Sequence, residues 1–418
     1  MAVSIVALNP DTPAEDPLAN GSRWSRGALD LARIAAIFTA VSVPASTGAA
    51  SFGAALFVLA LLASGRLHHV VLAAYRSPGG KGILAFLAWM TVTAFYNDAG
   101  PAQGLNDLWA WRKLVYLYLA LPLFVDPRWK RRGILALVAV CTLGVVISYG
   151  MHALQTMGRG GNVGVIFTNH SIQGIAFVVA AVCALWLARE AQGRTRWLYV
   201  AIGVALVVNV LFFGTGRTAY LAVVGVTLCA AILAGGWRAT VVAGAGLTVL
   251  LVAAYALSPT FSKRLEMVVT EAQEAKELTR ETSIGVRVVF GRNALALIAE
   301  RPVLGYGLGS YTRVYADYVD ARYTGMMATH SGDPHNQYLY IVFEHGLIGL
   351  AVFFVMIAAL YRSFPPTPYG VLAACALTAW VIGSLFNSHF RTFPEGHFFA
   401  FMLAILGSAA QRPDSGRS

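Results

Sequence analysis

The chain has 418 residues, 57% of them hydrophobic and 12% charged, with a formal net charge of +11. Soluble domains are about 45–50% apolar and about 25% charged, so this composition excludes a soluble enzyme, a disordered protein and a disulfide-stapled secreted domain. It fits an all-α integral membrane protein, with the positive balance reflecting a positive-inside bias and an anion site rather than nucleic acid.

In chain order, residues 1–27 are polar and Pro-rich and read as a disordered cytoplasmic tail with no cleavable signal peptide. A membrane helix needs about 20 mostly apolar residues. Candidate spans run roughly over 28–46, 49–65, 82–96, 109–125, 133–152, 170–188, 197–214, 217–235 and 239–257. A long segment of ordinary polar composition, 258–336, follows. Three further spans cover 337–361, 368–387 and 394–411, and 412–418 is a short tail. The fold expected is therefore about twelve transmembrane helices, nine in 28–257 and three in 337–411, with one long, partly helical loop.

Lys and Arg set the orientation. Arg66, Arg76 and Lys81, then Arg128, Lys130, Arg131 and Arg132, then Arg189, Arg194 and Arg196 all fall on one side if the N-terminus is cytoplasmic. Both termini are then inside and the long loop is outside. Its own basic residues do not contradict this, because long loops translocate regardless of charge. Within it, 261–282, 284–300 and 312–323 carry helical patterning. A structured loop of this length in a compact protein is usually functional. Cys141, Cys183, Cys229 and Cys375 lie in apolar runs without metal-ligand spacing and read as buried hydrophobes. No metal motif, phosphate-binding Gly-rich loop or transporter-type repeat appears, and GYGLG at 305–309 reads as a turn.

The residues that do not suit a plain membrane bundle are the outward basic ones. Arg217 in GTGRTAY opens a span, where backbone N–H groups and the helix dipole would add to its charge toward an anion. Arg159 in GRGGN, Arg287 among Val286, Val288, Val289 and Phe290, and Arg391 in NSHFRTFP lie on the same side. Guanidinium groups bind phosphate bidentately. His335 stands where the loop re-enters the membrane, after Pro334 and before Asn336, which could orient a neighbour. The positive helix end would keep its ring neutral, able to take a proton from a hydroxyl. Together these residues suggest a metal-free, cofactor-free site for a pyrophosphate headgroup whose lipid tail lies between helices. Whether Arg112 or Lys113 also reaches it depends on helix rotation.

The unit Ser283 to Arg287, the segment ERPVLGYGLGSY (300–311), HNQYLYIVFEHGLIG (335–349) and GTGRTAY, with Gly216 where a Ser is usual, together resemble the O-antigen ligase / O-antigen polymerase superfamily. That resemblance implies an inner-membrane glycosyltransferase of GT-C-like architecture. Its donor would be O-antigen on undecaprenyl pyrophosphate, its acceptor lipid A-core, and its active site would face the periplasm. It further implies His335 as general base and Arg217 and Arg287 as pyrophosphate ligands, with Arg159 and Arg391 weaker ligands and Asn336, Gly305 and Gly307 supporting. Attack in line would invert the anomeric centre. A polymerase joining lipid-linked repeat units, and a lipid-linked oligosaccharide flippase or transporter, are the competing readings.

Overall fold

The computed structural model describes Leu18, residues 21–267 and residues 283–410. Most of the N-terminal tail, most of the helix expected over 261–282 and the tail 412–418 lie outside the described residues.

Every element described is helical: α1 (Arg23–Ser42), α2 (Thr47–Ala63), α3 (Leu67–Arg76), α4 (Pro78–Phe95), α5 (Pro101–Ala110), α6 (Arg112–Ala120), α7 (Pro127–Ala153), α8 (His170–Glu190), α9 (Gly193–Val208, continued by a π-helical turn Asn209–Phe213), α10 (Arg217–Leu257), α11 (Ser283–Glu300), α12 (Tyr311–Asp320), α13 (Gln337–Ser363), α14 (Pro368–Gly383) and α15 (Phe393–Gly407). The starts follow local chemistry. Ser22, Ser46, Ser77, Asp126, Asn169 and Asn336 each accept a first-turn N–H with the side chain, and Pro78, Pro101, Pro127 and Pro368 open their helices.

Among the described residues, five helices are long and apolar enough to cross a membrane, namely α7, α8, α9 with its π turn, α10 and α13; α2 and α3 make a sixth if read as one bent pair. The protein is thus an all-helical, multi-pass membrane protein. This count is lower than the twelve spans expected from sequence partly because α10 counts once, although its break falls between the two spans expected over 217–235 and 239–257. The 41-residue α10 is interrupted at Gly236, with φ +67°, and α13 at Gly346, with φ +66°. The stretch expected as one span over 109–125 begins at the end of α5 and is otherwise helical only over α6 (Arg112–Ala120), while α14 and α15 are apolar but short. Residues 66–81, expected as a loop, contain α3, which turns 105° from α2 and buries Val70, Ala73 and Ala74.

Helix α15 is buried on every side from Phe398 to Leu406, and α8 is also mostly enclosed, whereas α10 leaves most of its apolar surface outward. A helix hydrophobic all round belongs in a core or against lipid. The loops that join the helices at one end are stitched together. Thr168 donates to the Pro44 carbonyl from backbone and side chain, Asp98 N–H donates to Tyr306, Leu308 N–H to Thr93 and Gln337 N–H to Ser384. This end carries 42–47, 95–101, 154–169, 214–216, the described parts of the long loop and 384–392.

The glycine turn 305–309 threads between α4 and the break in α13. Tyr306 N–H donates to the Phe343 carbonyl and Gly307 N–H to that of Glu344. Gly305 and Gly307 have φ +71° and +91°, and a Cβ at Gly305 would sit 2.6 Å from the Phe343 carbonyl. The fold requires glycine there.

Candidate functional site

Two helix N-termini meet at the stitched end. Asn169 caps α8, accepting from the N–H groups of Ser171 and Ile172, so His170 is the first residue of that helix. Arg217 is the first residue of α10, and its N-cap Gly216 packs on His170 so closely that a Cβ would lie 3.2 Å from the His170 carbonyl. The positive ends of two helices therefore abut. Arg264 and Arg287 carry their charges within electrostatic reach of the His170 ring, and Arg264 and Arg217 within reach of Tyr220. Three arginines from three parts of the chain thus lie about the junction of His170 and Tyr220. Guanidinium groups and helix N-termini are both anion ligands, and their convergence makes this a candidate site for an anion.

Beneath this rim, the π turn of α9 borders a polar cavity lined by Ser148, His152, His170, Gln173, Asn209 and Thr215. Its volume is about 20 Å³, room for water and not for a sugar ring. Arg159 lies on the loop that closes the cavity. Its N–H donates to the Val165 carbonyl, and its side chain is exposed.

His335 packs on α11. Its ring packs against Phe290, 5.8 Å between centroids, one helical turn from Arg287. Its backbone has φ +51°, unusual for a residue with a side chain. That conformation folds it over Asp333, whose Oδ1 accepts the His335 N–H at 2.6 Å and lies 3.4 Å from Nδ1. The Asn387 Oδ1 faces the same Nδ1 at 3.5 Å. Asn336 is committed elsewhere: its Oδ1 caps α13 through Tyr338 and Leu339, and its amide donates to the Leu385 carbonyl. The neighbours of the ring are Asp333 and Asn387.

The loop 384–392 ties both halves together. Its Asn387 faces His335, while its His389 is fully buried with Nε2 3.3 Å from the Ser171 hydroxyl, next to His170. Burial holds the His389 imidazole below its ordinary range, against the opposing pull of Glu395 and Asp333. Two residues on, Arg391 turns inward. Its guanidinium is 2.9 Å from the Asp107 carboxylate and stacks over Tyr340, which donates to Glu344. Burial opposes the Arg391 charge, but Tyr340, Asp107 and Glu344 hold it well above its ordinary value. Lys113 donates to the Arg391 carbonyl, and Arg112 lies over the rings of Trp109 and Phe393.

Of the residues singled out from sequence, Arg287 reaches His170, Arg217 follows the Gly216 that touches His170, the His335 ring packs on Phe290 one turn along α11 from Arg287, Arg159 is at the margin, and Arg391 is ion-paired with Asp107. Sequence reasoning missed His170, Arg264, Asp333, Asn387 and His389. His170 carried the same signal as Arg217, a basic residue opening an apolar run behind a capping Asn. Arg264 lies in a stretch of mixed charge with nothing to mark it.

Residues 202–354 match the family model described as O-antigen ligase. Over 78 residues the chain is 32% identical to a protein of Haemophilus influenzae described only as uncharacterized, which covers 19% of this chain and 20% of that protein. The chain therefore matches about a fifth of that relative's length. The family match includes Arg217, Arg264, Arg287 and His335.

Proposed function

Because residues 202–354 match the O-antigen ligase family model, we propose that the protein transfers O-antigen from undecaprenyl pyrophosphate to a sugar hydroxyl of lipid A-core. The observation that carries this reading is the gathering of Arg217, Arg264 and Arg287 near two abutting helix N-termini, with the His335 ring packed on Phe290, one helical turn from Arg287. Such a constellation suits a pyrophosphate beside a base.

In this reading the stitched end faces the periplasm of a Gram-negative cell, the helices make twelve passes of the inner membrane, and both termini are cytoplasmic. Residues 28–257 and 337–411 form the bundle, and 258–336 the periplasmic loop. The glycan's anomeric carbon is held above the arginines and the acceptor hydroxyl approaches from the opposite face. His335 takes the hydroxyl proton as the new C–O bond forms and the bond to pyrophosphate breaks, inverting the centre. Arg217, Arg264 and Arg287 neutralise charge growing on the departing pyrophosphate, so neither a metal nor a general acid is assigned. Arg159 is a marginal ligand. Gly305 and Gly307 support the site by seating the loop on α13. Arg391 acts by anchoring the loop that carries Asn387 and His389.

The test is a gene deletion followed by gel separation of lipopolysaccharide and lipid-linked glycan, with the wild-type gene and His335→Ala as complements. Core without O-antigen, long glycan still on the carrier, and rescue by wild type alone is the expected result. Core capped by a single repeat unit would instead identify a polymerase.

A further inference from the structure

The Asp333 carboxylate lies 3.4 Å from His335 Nδ1. We propose that Asp333 is a positioning residue: with Asn387 across the ring, it holds the His335 imidazole with its proton on Nδ1 and leaves Nε2 as the atom that takes a proton.

The geometry carries this. Nδ1 faces two oxygens, Asp333 Oδ1 at 3.4 Å and Asn387 Oδ1 at 3.5 Å. The Asn387 amide is oriented by its own contact, since the same oxygen accepts the Ser388 N–H at 3.0 Å. A carboxylate and an amide oxygen only accept, so the nitrogen between them must donate. These distances are long for finished hydrogen bonds, as base–orienter contacts often are before substrate arrives. The turn is built to hold the arrangement. Ser331 and Asp333 exchange hydrogen bonds, Pro334 follows, and the positive φ of His335 brings its own N–H onto Asp333 at 2.6 Å. The Asp333 side chain is 20% exposed and the His335 side chain 39%, so the carboxylate sits on the protein side and the imidazole on the open side. Phe290 covers one ring face, with Arg287 a turn away. A free imidazole in water prefers its proton on Nε2, so holding the other tautomer takes a partner.

The catalytic consequence rests on the reading of His335 as base; the tautomer does not, and the experiment separates them. Full-length protein labelled with ¹⁵N-histidine is compared with its His335→Gln variant to assign the ring. The expected wild-type signal is the Nδ1–H tautomer, moving toward Nε2–H in Asp333→Ala and returning in Asp333→Ala/Asn387→Asp, where the carboxylate stands on the other side of Nδ1. Turnover with lipid-linked glycan and core acceptor should fall at least about 10²-fold in Asp333→Ala, with KM for the donor unchanged, and recover in the double variant. Asp333→Ser keeps an acceptor for the His335 N–H but is too short to bring an oxygen to Nδ1, and serves with the same expected outcomes if Asp333→Ala fails to fold. An Nε2–H signal in wild type, or a tautomer indifferent to Asp333, overturns the proposal. A tautomer that moves as stated while turnover does not supports the positioning by Asp333 and removes His335 from the reaction.

Discussion

Gly216 and His170 touch across the junction of two helices: a Cβ on Gly216 would lie 3.3 Å from His170 Cδ2 and 3.2 Å from its carbonyl. The contact brings Arg217 beside His170 and sets how close the α8 and α10 N-termini come. A small residue should be accommodated and a branched one should not. Gly216→Ser is expected to keep activity within a few-fold, and Gly216→Val to lose about tenfold or more while still inserting and folding. Equal activity in both variants would show that the junction does not set the site.

The three arginines around that junction are expected to act on the reaction rather than the fold. Arg217→Ala, Arg264→Ala and Arg287→Ala should each lower turnover by about 10²–10³-fold, the usual loss when one preorganised charge donor goes. Thermal unfolding in detergent should stay near wild type. Full activity in both Arg217→Ala and Arg287→Ala would end the assignment.

Arg391 should behave differently. It is paired with Asp107 at 2.9 Å, with side chains 27% and 8% exposed. Removing one partner of a mostly buried pair leaves a stranded charge and costs about 3–5 kcal/mol. Arg391→Gln alone is therefore expected to destabilise strongly, and Asp107→Asn/Arg391→Gln to recover much of the loss. A double variant as unstable as the sum of its singles would show that the two residues are not coupled.

The buried His389 predicts an acid limit. Its folded pKa lies below its unfolded value of 6.5, so below that pH the unfolded chain binds a proton the folded one does not. Stability is full above about 6.5 and falls as pH drops toward the folded value. His389→Gln should show a shallower decline in melting temperature on the acid side than wild type. Parallel declines would mean that His389 does not contribute.

Gly346 breaks α13 at φ +66°, and a Cβ there would run into the Val303 carbonyl. Gly346→Ala and Gly305→Ala are expected to cost about 1–3 kcal/mol each by overpacking, with a positive-φ penalty in addition. A melting temperature equal to wild type in both would show that the loop seats differently.

Much of this was legible along the chain. The apolar runs announced α7, α8 and α13, because about 20 apolar residues in lipid have no stable alternative to a helix. Arg217 and His335 stood out since each opens such a run, where a polar residue needs a reason. What defeated linear reading was breakage. The run expected over 109–125 is helical only from Arg112 to Ala120 beyond Trp111, and α3 forms where only a basic loop was expected, because packing of Val70, Ala73 and Ala74 settles it. Arg391 looked like its fellow arginines until Asp107, far away in sequence, claimed it.

The sequence by itself determined that this is a helical membrane protein, which family it resembles, and which basic residues stand at helix ends, since composition and hydrophobic run length are local properties read directly by lipid and water. Only the tertiary structure decided which of those residues share a site. Arg217, Arg264, Arg287 and His170 come from separate segments, and Asp333 and Asn387 converge on one imidazole nitrogen. Such meetings depend on helix rotation, on breaks at glycine and on where loops cross the bundle end, and packing fixes all three only once the chain has closed on itself.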